Sequence, residues 1–220
     1  MHPVTDRAPS AYTLQRISEV LHELTDKQQV VMLDSKEVPW PSDPNRDWTF
    51  DDFTAFHRDT YSWAAGEYLR GDEVRFHMMF LDGIMLDDNG EPWAVGIQAG
   101  PRLGIWADPV REVLLNFGGA DIGGLRGVPN IAFDQAEAAI AVHDIGHALG
   151  LVDREAPMLT PRLPDKEADP CQCHSNNRDS VMYPGTEKFN AQRYVEEQRW
   201  VVDDFDADDR ADLAALRDRY

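Results

Sequence analysis

The sequence predicts one mixed α+β domain, α/β-like in its upper part, in which a small mixed twisted sheet lies under helices and an irregular C-terminal part ends in a helix. Three observations predict it. Helical spacing recurs near residues 13–25, 51–70 and 136–149. Apolar strand-like runs fall between residues 74 and 106. Prolines then crowd a stretch without periodicity between 152 and 185. The whole chain, 1–220, reads as a single unit: an N-terminal extension with a helix over 1–28, sheet and site helix over 29–150, and a lower part over 151–220.

In chain order, Leu14, Ile17, Leu21 and Leu24 recur at helical spacing behind Thr13 as a possible cap, so residues 13–25 form an amphipathic helix. Gln29 to Leu33 reads as a short strand. After the turn around Pro39, Pro41 and Pro44, residues Phe53, Phe56, Ala64, Tyr68 and Leu69 mark a helix from about Asp51 to Arg70, stopped by Gly71. Residues 74–81 and 93–98 read as strands with Asp88-Asn89-Gly90 as turn material between them, and Leu103 to Trp106 adds another. The Gly-rich run 117–130 reads as loop. Asp134 with Glu137 three residues on looks like a capping box for a helix over Ala136 to Leu149, and Gly150 fits its C-terminal stop. The last helix covers about Asp208 to Arg217.

Composition narrows the function. Apolar residues make up 42% and charged residues 28%, as in ordinary globular chains, and the formal charge is −19. That charge repels nucleic acid and anionic membranes, so neither is expected as a partner. No run approaches 18 uninterrupted apolar residues, so no span is expected. Acidic pairs such as Asp203-Asp204 and Asp208-Asp209 suit calcium in charge but lack the spacing of a calcium loop. The two cysteines, Cys171 and Cys173, are one residue apart, a spacing that makes a bridge between them strained and rules out a disulfide framework.

The functional signal lies in Ala141-Val-His143-Asp144-Ile-Gly-His147-Ala-Leu-Gly150-Leu-Val-Asp153. Residues four apart share a helix face, so His143 and His147 can aim ring nitrogens at one ion. Gly150 permits a sharp exit that can return Asp153 as a third ligand, with His174 of Cys171-Gln-Cys173-His174 as the alternative. Cys171, Cys173 and His174 together are a second possible set of donors. Three protein ligands leave a coordination position for water, the mark of a catalytic zinc. His22, His57 and His77 fall in amphipathic contexts and read as structural.

The run from His143 to Asp153 resembles the metzincin zinc signature, His-Glu-x-x-His-x-x-Gly-x-x-His/Asp, in the Asp-ending form of snapalysin-like members. Ser180-Val-Met182-Tyr-Pro184, downstream of it, resembles that family's Met-turn. The resemblance implies a zinc-dependent endopeptidase: Zn2+ on His143, His147 and Asp153, Met182 beneath the metal, and a peptide or protein substrate extended along a sheet edge, for which Leu103 to Trp106 is one choice. It also implies a monomer that is secreted or held in the cell envelope, its export signal absent from this chain, with the cytoplasm left open. Asp144 occupies the position of the family's general-base Glu. It is one methylene shorter, reaching about 1.5 Å less far, so slow turnover or none is expected. Tyr183 adjoins Met182 instead of following one residue later, and the family's tyrosine role is not carried to it. Two other readings stand beside this one. A zinc-binding module of the same fold would bind without turnover. Alternatively, His143-Asp144 resembles the core of HD-type metal phosphohydrolases, where both residues would bind metal.

Overall fold

The computed structural model describes residues 2–3, 9–24, 46–60, 69–70, 73–74, 76–94, 96–99, 102–106, 130–152, 159–162, 171–185 and 202–217. In chain order these hold β1 (His2–Pro3), α1 (Ala11–Leu24), β2 (Asp47–Trp48), α2 (Phe50–Thr60), β3 (Leu69–Arg70), β4 (Glu73–Val74), β5 (His77–Leu81), β6 (Ile84–Leu86), β7 (Pro92–Ala94), β8 (Gly96–Ala99), β9 (Arg102–Trp106), α3 (Asn130–Ala148) and α4 (Ala207–Arg217). The protein is a mixed α+β structure with small mixed sheets. The predicted strand at 29–33 and the loop over 117–129 lie outside the described residues.

The main sheet has the order β1-β5-β9-β8. Strands β1, β5 and β9 run parallel, with Met79 opposite both His2 and Gly104. Strand β8 runs antiparallel to β9, Gly96 facing Ile105 and Ala99 facing Arg102. A second sheet, β2-β6-β7, and the β3-β4 hairpin complete the described strands. Leu103 to Trp106 therefore lies inside the sheet, hydrogen-bonded on both sides, and cannot offer a free edge. Among the described residues β8 is the edge nearest α3, which corrects the choice made from sequence. Two residues separate β8 from β9, too few for the long crossover that a parallel partner needs.

All five residues of β5 are buried, as both faces of the sheet are covered. Met78 and Phe80 of β5, with Leu103 and Ile105 of β9, pack against Ala136, Ile140, Ala141 and Ile145 of α3 and Ile17 of α1. On the other face Met79, Leu81 and Trp106 pack with Trp48, Phe53, Phe56 and Met85. A third cluster lies on the far side of α3: Ala139 and Val142 meet Val181, Met182, Phe205 and Leu213. Helix α3 is thus enclosed between sheet and C-terminal segment, which explains why apolar residues surround it instead of forming one stripe.

Local chemistry moves three boundaries from their predicted places. The cap of α1 is Ser10, not Thr13: its Oγ accepts from Thr13 N at 3.0 Å and its carbonyl from Leu14 N at 3.1 Å. Helix α3 begins at Asn130, so Asp134 lies inside it. Glu137 closes no capping box there and instead accepts from Ser10 N at 3.1 Å and Thr13 Oγ1 at 2.6 Å, tying α3 to α1. Leu69–Arg70 belongs to the β3-β4 hairpin and not to the end of α2. The turn at Asp87–Glu91 is as read from Asp88-Asn89-Gly90, with Asp87 Oδ1 accepting from Asn89 N and Glu91 N. No helix among the described residues is long and apolar enough to cross a membrane.

Candidate metal centre

The site is built from one helix and one loop. Helix α3 ends in a Schellman motif: Leu151 N donates to Gly146 O and Gly150 N to His147 O, both at 2.9 Å. Gly150 has φ +87°, the left-handed conformation that glycine adopts without a Cβ penalty, and the chain leaves the helix sharply, as expected. Val152 follows at φ 56°, where a β-branched side chain is strained. Its full burial against Leu151 and Met182 is the compensating contact.

His143 and His147 project from this last stretch of helix, with their Nε2 atoms 3.0 Å apart. His143 Nδ1 lies 2.8 Å from Val181 O; a carbonyl only accepts, so Nδ1 carries the hydrogen and Nε2 keeps its lone pair for a ligand. Burial is the first cause holding both rings neutral. It takes His143 down to about 4, with His174 adding to the shift and the Val181 contact opposing it. His147 is lowered well below its ordinary value by burial, then by His143 and His174. Neutral imidazole is the form that binds metal.

His174 supplies the third donor. It stacks on His143 with ring centroids 5.1 Å apart and meets His147 edge-on at 5.1 Å, and one ligand atom from each ring lies within 4.8 Å of the other two. Of the two third-ligand choices read from sequence, His174 is the one the described residues bring to the pair; Asp153 lies outside them. The 3.0 Å between His143 and His147 fits a shared ion, since two zinc–nitrogen bonds of about 2.0–2.1 Å at a tetrahedral angle separate their nitrogens by about 3.3 Å.

The loop carrying His174 is closed on itself. Ser175 N donates to Met182 O at 2.8 Å, Asn176 N to Pro161 O at 2.8 Å, and Ser175 bridges Arg162. His174 and Met182 therefore belong to one frame. Met182 is fully buried, and a Cβ placed on Gly146 would stand 2.5 Å from its sulfur and 2.9 Å from the Phe205 ring. Glycine between the two histidines thus lets the Met182 loop lie directly on α3. Tyr183 is half-buried, with the Arg178 guanidinium 6.0 Å from its ring centroid.

Helix α4 holds that loop from behind. Ser180 Oγ accepts from Met182 N at 2.8 Å and donates to the buried carboxylate of Asp209, which also accepts from Thr160 Oγ1 at 3.0 Å. Asp206 and Asp209 form the capping box of α4: Asp206 Oδ1 accepts from Asp209 N and Asp209 Oδ2 from Asp206 N. Burial is the first cause raising Asp209 to about 6. The Asp203 and Asp204 pair faces α1: Tyr12 donates to Asp203, and Arg16 lies 2.8 Å from Asp204. These acidic residues serve caps and ion pairs, and no carboxylate belongs to a metal-donor group among the described residues. Sequence reasoning missed the linkage of Ser180 to Asp209 and the cap made by Asp206 and Asp209; the Asp-x-x-Asp spacing at the head of the last helix was the available signal for the cap.

Asp144 is placed differently from the histidines. It is buried, and a Cβ on Gly96 would lie 2.6 Å from its Oδ2, so the carboxylate occupies the space that glycine leaves on the edge strand β8. It is not in the donor group of His143, His147 and His174.

Cys171 and Cys173 are joined by a disulfide, contrary to the reading from sequence. Gln172 between them takes φ 54°, and the two Cα atoms stand 5.2 Å apart, inside the range that a bridge requires. A left-handed middle residue is what the spacing alone did not reveal.

No protein family, no curated protein and no solved structure matches this chain.

Proposed function

We propose that the protein is a zinc-dependent metallopeptidase of metzincin type whose turnover is weakened by Asp144. The observation that carries this reading is the convergence of His143, His147 and His174 within 4.8 Å, on a helix end and a loop fixed to each other. Three imidazole nitrogen donors suit zinc and leave a coordination position. Met182 packed beneath α3 and the antiparallel edge strand β8 beside it support the same family resemblance.

A bound zinc supplies a Lewis acid that acidifies water and polarises a carbonyl. His143 is oriented for its ligand role by Val181 O. Strand β8 offers backbone groups to an extended peptide, placing the scissile bond over the end of α3. Asp144, between α3 and β8, is the carboxylate that takes a proton from the attacking water and returns it to the leaving amine. Its short side chain packed against Gly96 is the reason for slow turnover.

That same packing favours a second reading, a zinc-binding module that holds a polypeptide without cleaving it. Assay of Asp144→Glu on a general protein substrate separates them. A rise in cleavage of about tenfold or more, zinc content unchanged, supports the peptidase; no rise with zinc retained supports the module. The phosphohydrolase alternative requires Asp144 as a metal ligand beside His143, and the placement of Asp144 outside the donor group counts against it.

A further inference from the structure

We propose that Cys171, Cys173 and His174 form a second, redox-gated site for a soft divalent metal, closed while the sulfurs are bonded to each other and opened by reduction. It rests on the preceding reading only in sharing His174 with the three-histidine centre. The sulfur atoms of Cys171 and Cys173 lie 3.6 and 3.7 Å from His174 Nδ1. In a tetrahedral zinc site with bonds of about 2.3 Å to sulfur and 2.0 Å to nitrogen, sulfur and nitrogen stand about 3.5 Å apart. The two sulfur–nitrogen edges are thus already in place. The edge still to form is between the sulfurs, which must part to about 3.8 Å. Side-chain rotation supplies that from Cα atoms 5.2 Å apart.

The frame does not depend on the bridge. Ser175 remains fixed through Met182 O and Arg162, so His174 keeps its place when the disulfide opens. Both cysteines are half-buried, within reach of a small reductant. In the disulfide each sulfur is a poor donor, whereas the thiolate is the metal ligand. With a trialkylphosphine as reductant the step is balanced: phosphine, water and the disulfide give the phosphine oxide and two thiols, and each thiol then releases its proton to solvent on binding the ion.

Sharing His174 gives the site a regulatory consequence. A neutral imidazole has one lone pair, the other nitrogen carrying hydrogen. When Nδ1 binds the sulfur-site ion, His174 is withdrawn from His143 and His147, and the three-histidine centre falls to two protein ligands. Oxidation of the pair returns His174 to the catalytic centre.

The test is cobalt(II) titration of the whole chain, oxidised and after phosphine reduction, followed by absorption spectroscopy. Thiol titration confirms the redox state. The expected result is a sulfur-to-cobalt charge-transfer band that appears only after reduction, persists in the double variant His143→Ala, His147→Ala, and is lost in Cys171→Ser, Cys173→Ser. Bound cobalt with no such band in the reduced protein overturns the proposal. So does a band that vanishes with His143 and His147, because the thiolates would then be binding the first centre's ion. The visible d–d spectrum of the oxidised protein tests the three-histidine centre separately, so failure of one site is distinguishable from failure of the other.

Discussion

The protein holds two histidine pairs that look alike and differ in what surrounds them. His143 and His147 have ring centroids 4.6 Å apart and crossed planes; His57 of α2 and His77 of β5 also stand 4.6 Å apart and crossed, with nitrogens 2.7 Å from each other. Burial lowers His57 to about 4, with Arg102 adding to the effect, much as it lowers His143. Two differences matter. The first pair has His174 as a third donor, and among the described residues no third donor joins the second. The first pair also shares one helix, with His143 turned by a backbone carbonyl, whereas the second bridges two elements across the core. A close pair of buried imidazoles is therefore not in itself a group that could hold a metal; a third donor on an independently fixed loop makes the difference among the described residues.

The largest effect should come from breaking the first pair. His143→Ala should take bound zinc from about one per chain to none, whereas His57→Gln should leave zinc content unchanged, both read by elemental analysis. Loss of zinc in His57→Gln would erase the distinction between the pairs.

The next effect concerns the loop that supplies the third donor. Gly146→Ala places a Cβ against Met182 and Phe205, and overpacking of this kind costs about 1–3 kcal/mol. Denaturant unfolding of the metal-free protein should show that loss, with weaker zinc binding alongside it as His174 shifts. Unchanged stability would mean that the loop is not seated on α3.

The smallest effect is one of pH and belongs to the second pair. The value of about 4 for folded His57 lies below its ordinary 6.5, so between those values the unfolded chain takes up a proton that the folded protein refuses. Its contribution to stability is present above pH about 6.5 and is lost as pH falls toward 4. Asp209 acts in the opposite sense: raised to about 6 from 3.8, it favours the folded state as pH falls through that window. The melting temperature of His57→Gln relative to the parent should therefore rise as pH drops from 6.5 to 4. A constant difference across that range would contradict the buried, neutral assignment of His57.

Local signals in the sequence were enough for the C-terminal end of the site helix, though not for its start at Asn130. The i, i+4 histidines, the stop at Gly150, the strand at 102–106 and the last helix stand where spacing places them, because each depends on residues near in sequence. What was not legible depends on distant partners. The choice of β8 over β9 as the edge is a matter of strand order. The true role of Glu137 lies across the core, at the start of α1. The bridge between Cys171 and Cys173 turns on the backbone of Gln172, and the placement of His174 depends on the closure of its loop through Ser175 and Met182. Asp144 was legible as the carboxylate that follows the first histidine of the pair, but not its packing against Gly96.

The most direct measurement is zinc content of two single variants, His174→Ala and Asp153→Ala, purified alongside the parent in oxidising buffer. A three-histidine centre predicts zinc lost or sharply weakened in His174→Ala and retained in Asp153→Ala. Zinc retained in His174→Ala and lost in Asp153→Ala would contradict that centre and return the third ligand to the helix exit.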